Sequence, residues 1–142
     1  MLRVSVLLAA LAAVLVLPTA AHAQPVVTAA QVNGTWESGP NVLRVRALGD
    51  GRLRVAFDGL YRYRLADGTA MANTGAGRGE ARVKGITALF SPNGAEEACA
   101  IVLTFAAGAL DVMQRGTCGF GHNVSAEGHY RRTSRARPSF DD

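Results

Sequence analysis

The chain has 142 residues, of which 49% are hydrophobic and 18% charged, and its formal net charge is +4. This length suits one ordinary domain and excludes an assembly of several large ones. The mild positive charge permits attraction to anionic surfaces but is too small to indicate a nucleic-acid partner.

The first 23 residues have the pattern of a secretory signal peptide. Arg3 stands beside an apolar run over residues 4–17, and Ala21 and Ala23 supply the small residues of a cleavage site. The run is shorter than the roughly 18 residues that a membrane-spanning helix requires. We therefore predict cleavage after Ala23, a periplasmic or secreted location, and no membrane-spanning segment.

The rest of the chain predicts one all-β domain over residues 24–134 and a loose tail over 135–142. Apolar and polar residues alternate with a period of two in most segments, and no sustained helical stripe occurs. This alternation indicates short antiparallel strands.

The most regular segment, residues 42–57, predicts a β-hairpin. Its loop, Gly49 to Gly51, supplies glycine where a tight turn needs positive φ. The register that follows pairs each apolar residue with another: Leu43 with Phe57, Val45 with Val55, and Ala47 with Leu53. Four arginines then share the outer face, with Arg46 opposite Arg54: Arg44, Arg46, Arg52 and Arg54.

The middle of the chain predicts shorter strands and a connector. "LYRYRL", "GEARVK" and "ITALFSP" have the composition of strands, with Tyr61 and Tyr63 on the inner wall and Arg62 and Arg64 extending the arginine face. Residues 66–79, "ADGTAMANTGAGRG", predict a turn-rich connector. The glycines at its end follow no strong strand and lead into no helix, which argues against a phosphate-binding loop.

A second hairpin, "CAIVLTFAAGALDVMQ", begins with one of the two cysteines of the chain. With its turn at Ala107 and Gly108, residue 105 faces 110, 103 faces 112, and 101 faces 114. This register brings Cys99 near Cys118 if an irregular step at Gly116 draws the chain back. Because export leads to an oxidising compartment, we expect a Cys99–Cys118 disulfide.

The segment "CGFGHNVSAEGHYRR", residues 118–132, predicts a turn about Phe120 followed by the closing strand. It brings the number of predicted strands to about eight, and that many short antiparallel strands bury their inner faces best in a closed barrel. "GTW", Gly34 to Trp36, opens the domain, and Arg132 ends the last strand on the same face as Tyr130. In these features the chain resembles the lipocalin and avidin-like group, which implies a calycin-like barrel in which Arg132 covers Trp36.

The last third also resembles a family of small exported bacterial proteins. The resemblance is carried by C-x-I-x-L-x-F from Cys99 and by CGFG-x-NV-x-A-x-G-x-Y-x-R from Cys118 to Arg132. It covers residues 34–134. Similar modules occur beside domains of the LprI lysozyme-inhibitor type, which implies an inhibitor role as one alternative, although the cysteine-bearing LprI domain itself does not occur in this sequence.

Few residues are candidates for chemistry. His122 and His129 are an odd number of residues apart, so on one strand they point to opposite faces and do not share a metal. A structural zinc site takes four ligands that this chain does not supply. Ser125 lacks the frame of a catalytic triad, and Glu127 and His129 are predicted to form a solvated pair. We therefore expect no metal, no cofactor and no enzyme activity.

The arginine face is the strongest candidate for function. It comprises Arg44, Arg46, Arg52 and Arg54, with Arg62 and Arg64 as an extension. The leading hypothesis is a binding module for an envelope protein, an anionic glycan or a lipid head group; the competing interpretation is a solvated outer face. One alternative function is inhibition of a lysozyme-type hydrolase, which a basic domain opposes because common lysozymes are also basic. Another is a small-molecule carrier, suggested by barrel shape alone. The oligomeric state stays open.

Overall fold

A computed structural model describes residues 23–95 and 97–140, so the predicted signal peptide, apart from Ala23, lies outside the described residues. In the described chain each of eight strands pairs antiparallel with the next, and the last pairs with the first. The elements are α1 (Ala29–Val32), β1 (Gly34–Ser38), β2 (Asn41–Gly49), β3 (Arg52–Arg64), β4 (Ala70–Lys84), β5 (Thr87–Pro92), β6 (Ala100–Ala106), β7 (Ala109–Arg115) and β8 (Gly128–Ser134). The predicted all-β barrel of about eight strands is confirmed. Within the described ranges, no helix is long and apolar enough to cross a membrane.

Both predicted hairpins have the predicted register. The cross-strand pairs are Leu43–Phe57, Val45–Val55 and Ala47–Leu53 in the first hairpin, and Ile101–Gln114, Leu103–Val112 and Phe105–Leu110 in the second. The first loop has positive φ at Gly49, Asp50 and Gly51. Local pattern and turn chemistry suffice here because the two strands of a hairpin are adjacent in sequence.

The prediction for the middle of the chain is wrong in two places, although "ITALFSP" forms a strand, β5, as predicted. "LYRYRL" is the end of β3 rather than a separate strand, and most of the predicted connector 66–79 belongs to β4. The two strands pair residue by residue from Arg52–Arg82 to Arg64–Ala70. Glycine weakens a strand locally, but here the continuous ladder with β3 outweighs that weakness.

The barrel interior is filled by side chains. Among the largest that are fully buried are Trp36, Leu43, Phe57, Phe90, Ile101, Leu103, Leu110 and Tyr130. The Tyr130 hydroxyl donates a hydrogen bond to the Ala126 carbonyl oxygen at 2.8 Å. Burial raises the pKa of this phenol, because a low-polarity environment disfavours the charged form.

One end of the barrel is closed by α1, a short helix that the sequence pattern did not predict. Val32 is buried, and its carbonyl oxygen accepts a hydrogen bond from Trp36 Nε1 at 3.2 Å. Arg132 Nη1 donates to the Ala30 carbonyl oxygen at 2.9 Å. The helix is therefore held by residues of the first and last strands.

The other end is closed by Phe120, the aromatic residue of "CGFG". Its ring centre lies 4.7 Å from that of Phe57 inside the barrel. A Cβ atom at Gly77 would lie 2.2 Å from the Phe120 ring, so the missing side chain in β4 makes room for Phe120. The predicted Cys99–Cys118 disulfide is present, with the two Cα atoms 4.9 Å apart, and it ties this loop to the start of β6.

The closing strand is shorter than predicted. Residues 123–127 are not part of a strand, and β8 begins at Gly128. Asn123 has φ 60°, a left-handed conformation that no strand accommodates. The Gln114 side-chain oxygen accepts a hydrogen bond from the Ala126 N–H at 2.9 Å, in place of a strand partner.

The barrel closes where β1 pairs with β8. Trp36 lies opposite Arg132 in this register, and the Arg132 guanidinium carbon lies 4.5 Å from the indole ring centre. Partial burial, and to a lesser degree the charge of Arg135, lower the pKa of Arg132. The two residues predicted to meet at closure therefore do so.

Candidate binding surface

The outer faces of β2, β3 and β4 carry a concentration of positive charge. We call it the arginine wall, and it comprises Arg44, Arg46, Arg52, Arg54, Arg78 and Arg82. Arg46 lies directly opposite Arg54, and Arg52 lies directly opposite Arg82. Like charges in such positions repel each other, so the wall is a surface that an anion would stabilise.

Two carboxylates lie among these arginines. Arg44 Nη2 is 2.5 Å from Asp58 Oδ2, and Arg52 Nη1 is 3.7 Å from Glu80 Oε2. All four side chains are partly exposed, so each pair contributes at most about 1 kcal/mol to stability. Among the described residues, two carboxylates face six guanidinium groups, so the described part of the wall carries a surplus of positive charge.

The C-terminal tail covers part of the wall, although the sequence predicted it to be loose. We call residues 135–140 the strap; the last two residues of the predicted tail lie outside the described residues. The Phe140 ring centre lies 5.0 Å from the guanidinium carbon of Arg46 and 5.6 Å from that of Arg54. Arg46 Nη1 donates to the Pro138 carbonyl oxygen at 3.4 Å, and Pro138 is buried. Two aromatic–guanidinium contacts therefore order a segment whose own sequence indicates no structure.

Arg62 and Arg64 do not lie on the wall. They belong to the part of the β3–β4 hairpin that extends past the ends of its neighbours, residues 60–74, which we call the β3–β4 arm. Tyr61 and Tyr63, predicted to face the interior, also lie on the arm. Tyr61 is 41% exposed, and its ring centre is 6.3 Å from that of Tyr63. The prediction that Tyr61 and Tyr63 face the interior is wrong, because β3 and β4 extend beyond the closed part of the barrel.

A surface groove of about 420 Å³ lies beside the wall, between the segment that carries α1 and the β2–β3 loop. Its lining is largely aliphatic, with Val27, Leu48 and Val83 among its residues. Arg52 of the wall and Arg137 of the strap also line it. The groove thus places apolar surface next to two guanidinium groups.

The histidines form no common site. His129 Nδ1 pairs with Asp111 Oδ1 on the outside of β7 and β8, rather than with Glu127 as predicted. His122 lies in the loop before β8, where its carbonyl oxygen accepts a hydrogen bond from Asn73 Nδ2 of β4 at 2.8 Å. Within residues 23–95 and 97–140, no group of three or more histidine, cysteine or acidic side chains could hold a metal ion.

Two members of the wall, Arg78 and Arg82, were missed at the sequence level. They lie in the segment "GRGEAR", where charged residues alternate with Gly77, Gly79 and Ala81. The period is that of a strand, but its inner positions carry glycine or alanine instead of large apolar residues. Alternation of charged with very small residues is therefore the signal that could have found them.

Comparison of this chain with family models, with curated proteins and with solved structures finds no match.

Proposed function

We propose that this protein is an exported, non-enzymatic binding module whose arginine wall holds an anionic component of the cell envelope. The observation that carries the proposal is the concentration of six arginines on the outer faces of β2, β3 and β4, where Arg52 lies directly opposite Arg82. Export is supported by the predicted signal peptide and by the Cys99–Cys118 disulfide, which is typical of oxidising compartments.

The chemistry of arginine narrows the ligand class. A guanidinium group offers paired donors that match the oxygens of a carboxylate or a phosphate. Lipid head groups and anionic glycans share these oxygens. The aliphatic groove that begins at Arg52 favours a lipid head group, because it offers space beside the wall for the apolar part of the same molecule.

The carrier alternative has little support, because large side chains fill the barrel interior and Val32 and Phe120 lie at its two ends. The hydrolase-inhibitor alternative stays a prediction that depends on the family resemblance. The competing interpretation is that the arginine wall is a solvated surface without a ligand, and the experiment must distinguish it from anion binding.

The test replaces Arg52 and Arg82 together by glutamine and measures binding to vesicles with and without phosphatidylglycerol, and to a soluble uronic-acid polymer. We expect the unmodified protein to bind one or both anions and to lose affinity steeply with salt, since exposed charges are screened over about 10 Å at 0.1 M. The double variant is expected to bind about tenfold more weakly, because it lacks two contacts between arginine and an anion.

The matched control replaces Arg115 and Arg131 by glutamine. Both are exposed on β7 and β8, away from the wall, and their loss changes the net charge by the same amount. Equal weakening by the two double variants would mean that net charge alone attracts the anion. Absence of binding to every probe would leave the wall a solvated surface and refute the proposal.

A further inference from the structure

In the part of the chain that the structure describes, the β3–β4 arm is a two-stranded ribbon with no further strand paired to it. On one side, β2 pairs with β3 only as far as Val42–Asp58; on the other, β5 pairs with β4 only as far as Gly79–Pro92. Beyond these pairs, β3 and β4 continue together to Arg64–Ala70. In the described part of the chain, no further strand covers either edge of the arm.

The arm is ordered by its own contacts. Its turn is closed by hydrogen bonds from the Leu65 N–H to the Thr69 carbonyl and from the Gly68 N–H to the Leu65 carbonyl, both 2.9 Å. The side-chain contact of Asn73 with the His122 carbonyl holds its base against the loop that carries Phe120. Because an isolated two-stranded hairpin is only marginally stable in water, these contacts help to hold the arm in its extended shape.

The two faces of the arm differ in chemistry. One face presents Tyr61 and Tyr63, with Met71 directly across from Tyr63. Tyr61 and Met71 are 41% and 43% exposed, and Leu65 at the turn is 45% exposed. The opposite face presents Arg62 and Arg64. Grouped exposed apolar side chains, unlike scattered ones, mark an interaction site.

The β3 edge of the arm offers backbone hydrogen-bonding groups. The Leu60 N–H donates to Asn41 Oδ1 at 3.1 Å, which shows that it points away from β4. Since backbone groups alternate along a strand, the N–H and C=O of Arg62 point to the same open edge. An edge of this kind can accept an extended peptide as an additional strand.

We propose that the β3 edge of the arm binds an extended, acidic segment of a partner protein as an added antiparallel strand. Apolar side chains of that segment would pack on Tyr61 and Tyr63, and the acidic side chains between them would pair with Arg62 and Arg64. A strand with a period of two presents this alternation without distortion. The site is separate from the arginine wall, so it extends the proposed function and does not depend on it.

A protein segment fits this edge better than a lipid surface. Open backbone N–H and C=O groups require hydrogen-bond partners, which the hydrocarbon of a bilayer does not provide.

The experiment uses the exported protein and a synthetic eight-residue peptide that alternates valine and glutamate, with lysine replacing glutamate in the control peptide. Binding is measured by fluorescence anisotropy of a labelled peptide and by amide NMR shifts at residues 60–64. We expect the acidic peptide to bind about tenfold more tightly than the basic one, with the order reversed in the Arg62→Glu, Arg64→Glu double variant.

Proline substitutions test the backbone contact separately from charge. Arg62→Pro removes the outward N–H, so it should weaken binding roughly two- to tenfold more than Arg62→Gln does. Ala72→Pro removes an N–H from the other edge, because Ala72 is the register partner of Arg62, and it should leave binding within about twofold. Thermal unfolding checks that each variant remains folded. The Tyr61→Ser, Tyr63→Ser double variant tests the proposed packing surface without changing the backbone, and it should also weaken binding of the acidic peptide.

Several results would overturn the proposal. One is binding of neither peptide, another is equal binding of both, and a third is weakening by Ala72→Pro without weakening by Arg62→Pro. Concentration-dependent self-association through residues 60–64 without peptide binding would assign the edge to a second copy of the chain. Vesicle binding that requires Tyr61 and Tyr63 would assign the arm to lipid instead.

Discussion

The guanidinium carbon of Arg132 lies 4.5 Å from the centre of the Trp36 ring, and the two residues are partners in the register that joins the last strand to the first. Each also holds α1: Arg132 donates to the Ala30 carbonyl, and Trp36 donates to the Val32 carbonyl. Closure of the barrel and attachment of the helix therefore depend on the same two side chains.

Replacing Arg132 by methionine is expected to lower the free energy of unfolding by about 1–2 kcal/mol, because it removes a cation–π contact and a hydrogen bond while keeping an aliphatic chain. Urea unfolding followed by the fluorescence of Trp36, the one tryptophan of the chain, measures this change. Arg131→Met, an exposed neighbour on β8, serves as the control. Equal loss in both variants would contradict a specific role for Arg132.

The contact between Gly77 and Phe120 predicts a coupled pair of substitutions. Gly77→Ala should destabilise the protein, because its Cβ would lie 2.2 Å from the Phe120 ring. Phe120→Ala alone should lower the free energy of unfolding by about 3–5 kcal/mol through the cavity that it leaves. In the double variant the alanine at residue 77 should add little further loss, and a double-mutant cycle of unfolding free energies measures this coupling.

Gly75 provides the control for that cycle. A Cβ atom there would lie 1.6 Å from the carbonyl oxygen of Phe120, which is backbone and stays in place when the ring is removed. Gly75→Ala should therefore destabilise the barrel equally with and without the Phe120 ring. Rescue of Gly75→Ala by Phe120→Ala would show that the loop moves as a whole.

Loss of the Cys99–Cys118 disulfide should lower the free energy of unfolding by about 3 kcal/mol, since the cross-link closes a loop with a sequence separation of 19. The measurement is urea unfolding of the Cys99→Ser, Cys118→Ser variant beside the unmodified protein with and without reductant. Intact mass should rise by two hydrogen atoms on reduction. Two free thiols in protein isolated from an oxidising compartment would contradict the prediction.

The raised pKa of Tyr130 predicts a loss of stability in alkali. Below the ordinary tyrosine pKa of about 10, both states keep the proton and the contribution is complete. Above it, the unfolded chain releases the proton more readily than the buried phenol does, so the free energy of unfolding falls as pH rises.

Tyr130→Phe should reduce that alkaline decline, at a loss of about 1 kcal/mol at neutral pH from the missing hydrogen bond to Ala126. Unfolding free energies between neutral and alkaline pH measure both effects. Tyr61→Phe, on the exposed arm, is the comparison and should change neither. An unchanged pH profile in Tyr130→Phe would mean that other groups control alkaline unfolding.

The strap predicts a link between Phe140 and access to the wall. Phe140→Ala should lower stability by about 1–2 kcal/mol, because two cation–π contacts are lost, and should strengthen vesicle binding by uncovering this part of the wall. Among the described residues, none accepts a hydrogen bond from the buried Arg46 Nε. Ser139→Ala is the control. Lower stability with unchanged affinity would give the strap a structural role only.

The features that could be predicted from the sequence are those that depend on residues close together along the chain. The registers of both hairpins follow from alternation and glycine loops, and the disulfide follows from the register of the second hairpin together with the two cysteines of the chain. The contact between Trp36 and Arg132, where β1 pairs with β8, was implied by the resemblance of the two end strands to the lipocalin and avidin-like group. The four arginines of the first hairpin were placed correctly on the outside for the same local reason.

The remaining features depend on contacts between distant parts of the chain. Residues 70–79 form a strand because β3 pairs with them and because their small side chains admit Phe120, which lies more than forty positions further along the sequence. The strap is ordered because Phe140 and Pro138 meet an arginine 92 residues before Pro138. Alternation along a segment specifies which face a residue takes, but it contains no information on which distant side chain fills the space beside it; packing of the closed barrel sets that choice.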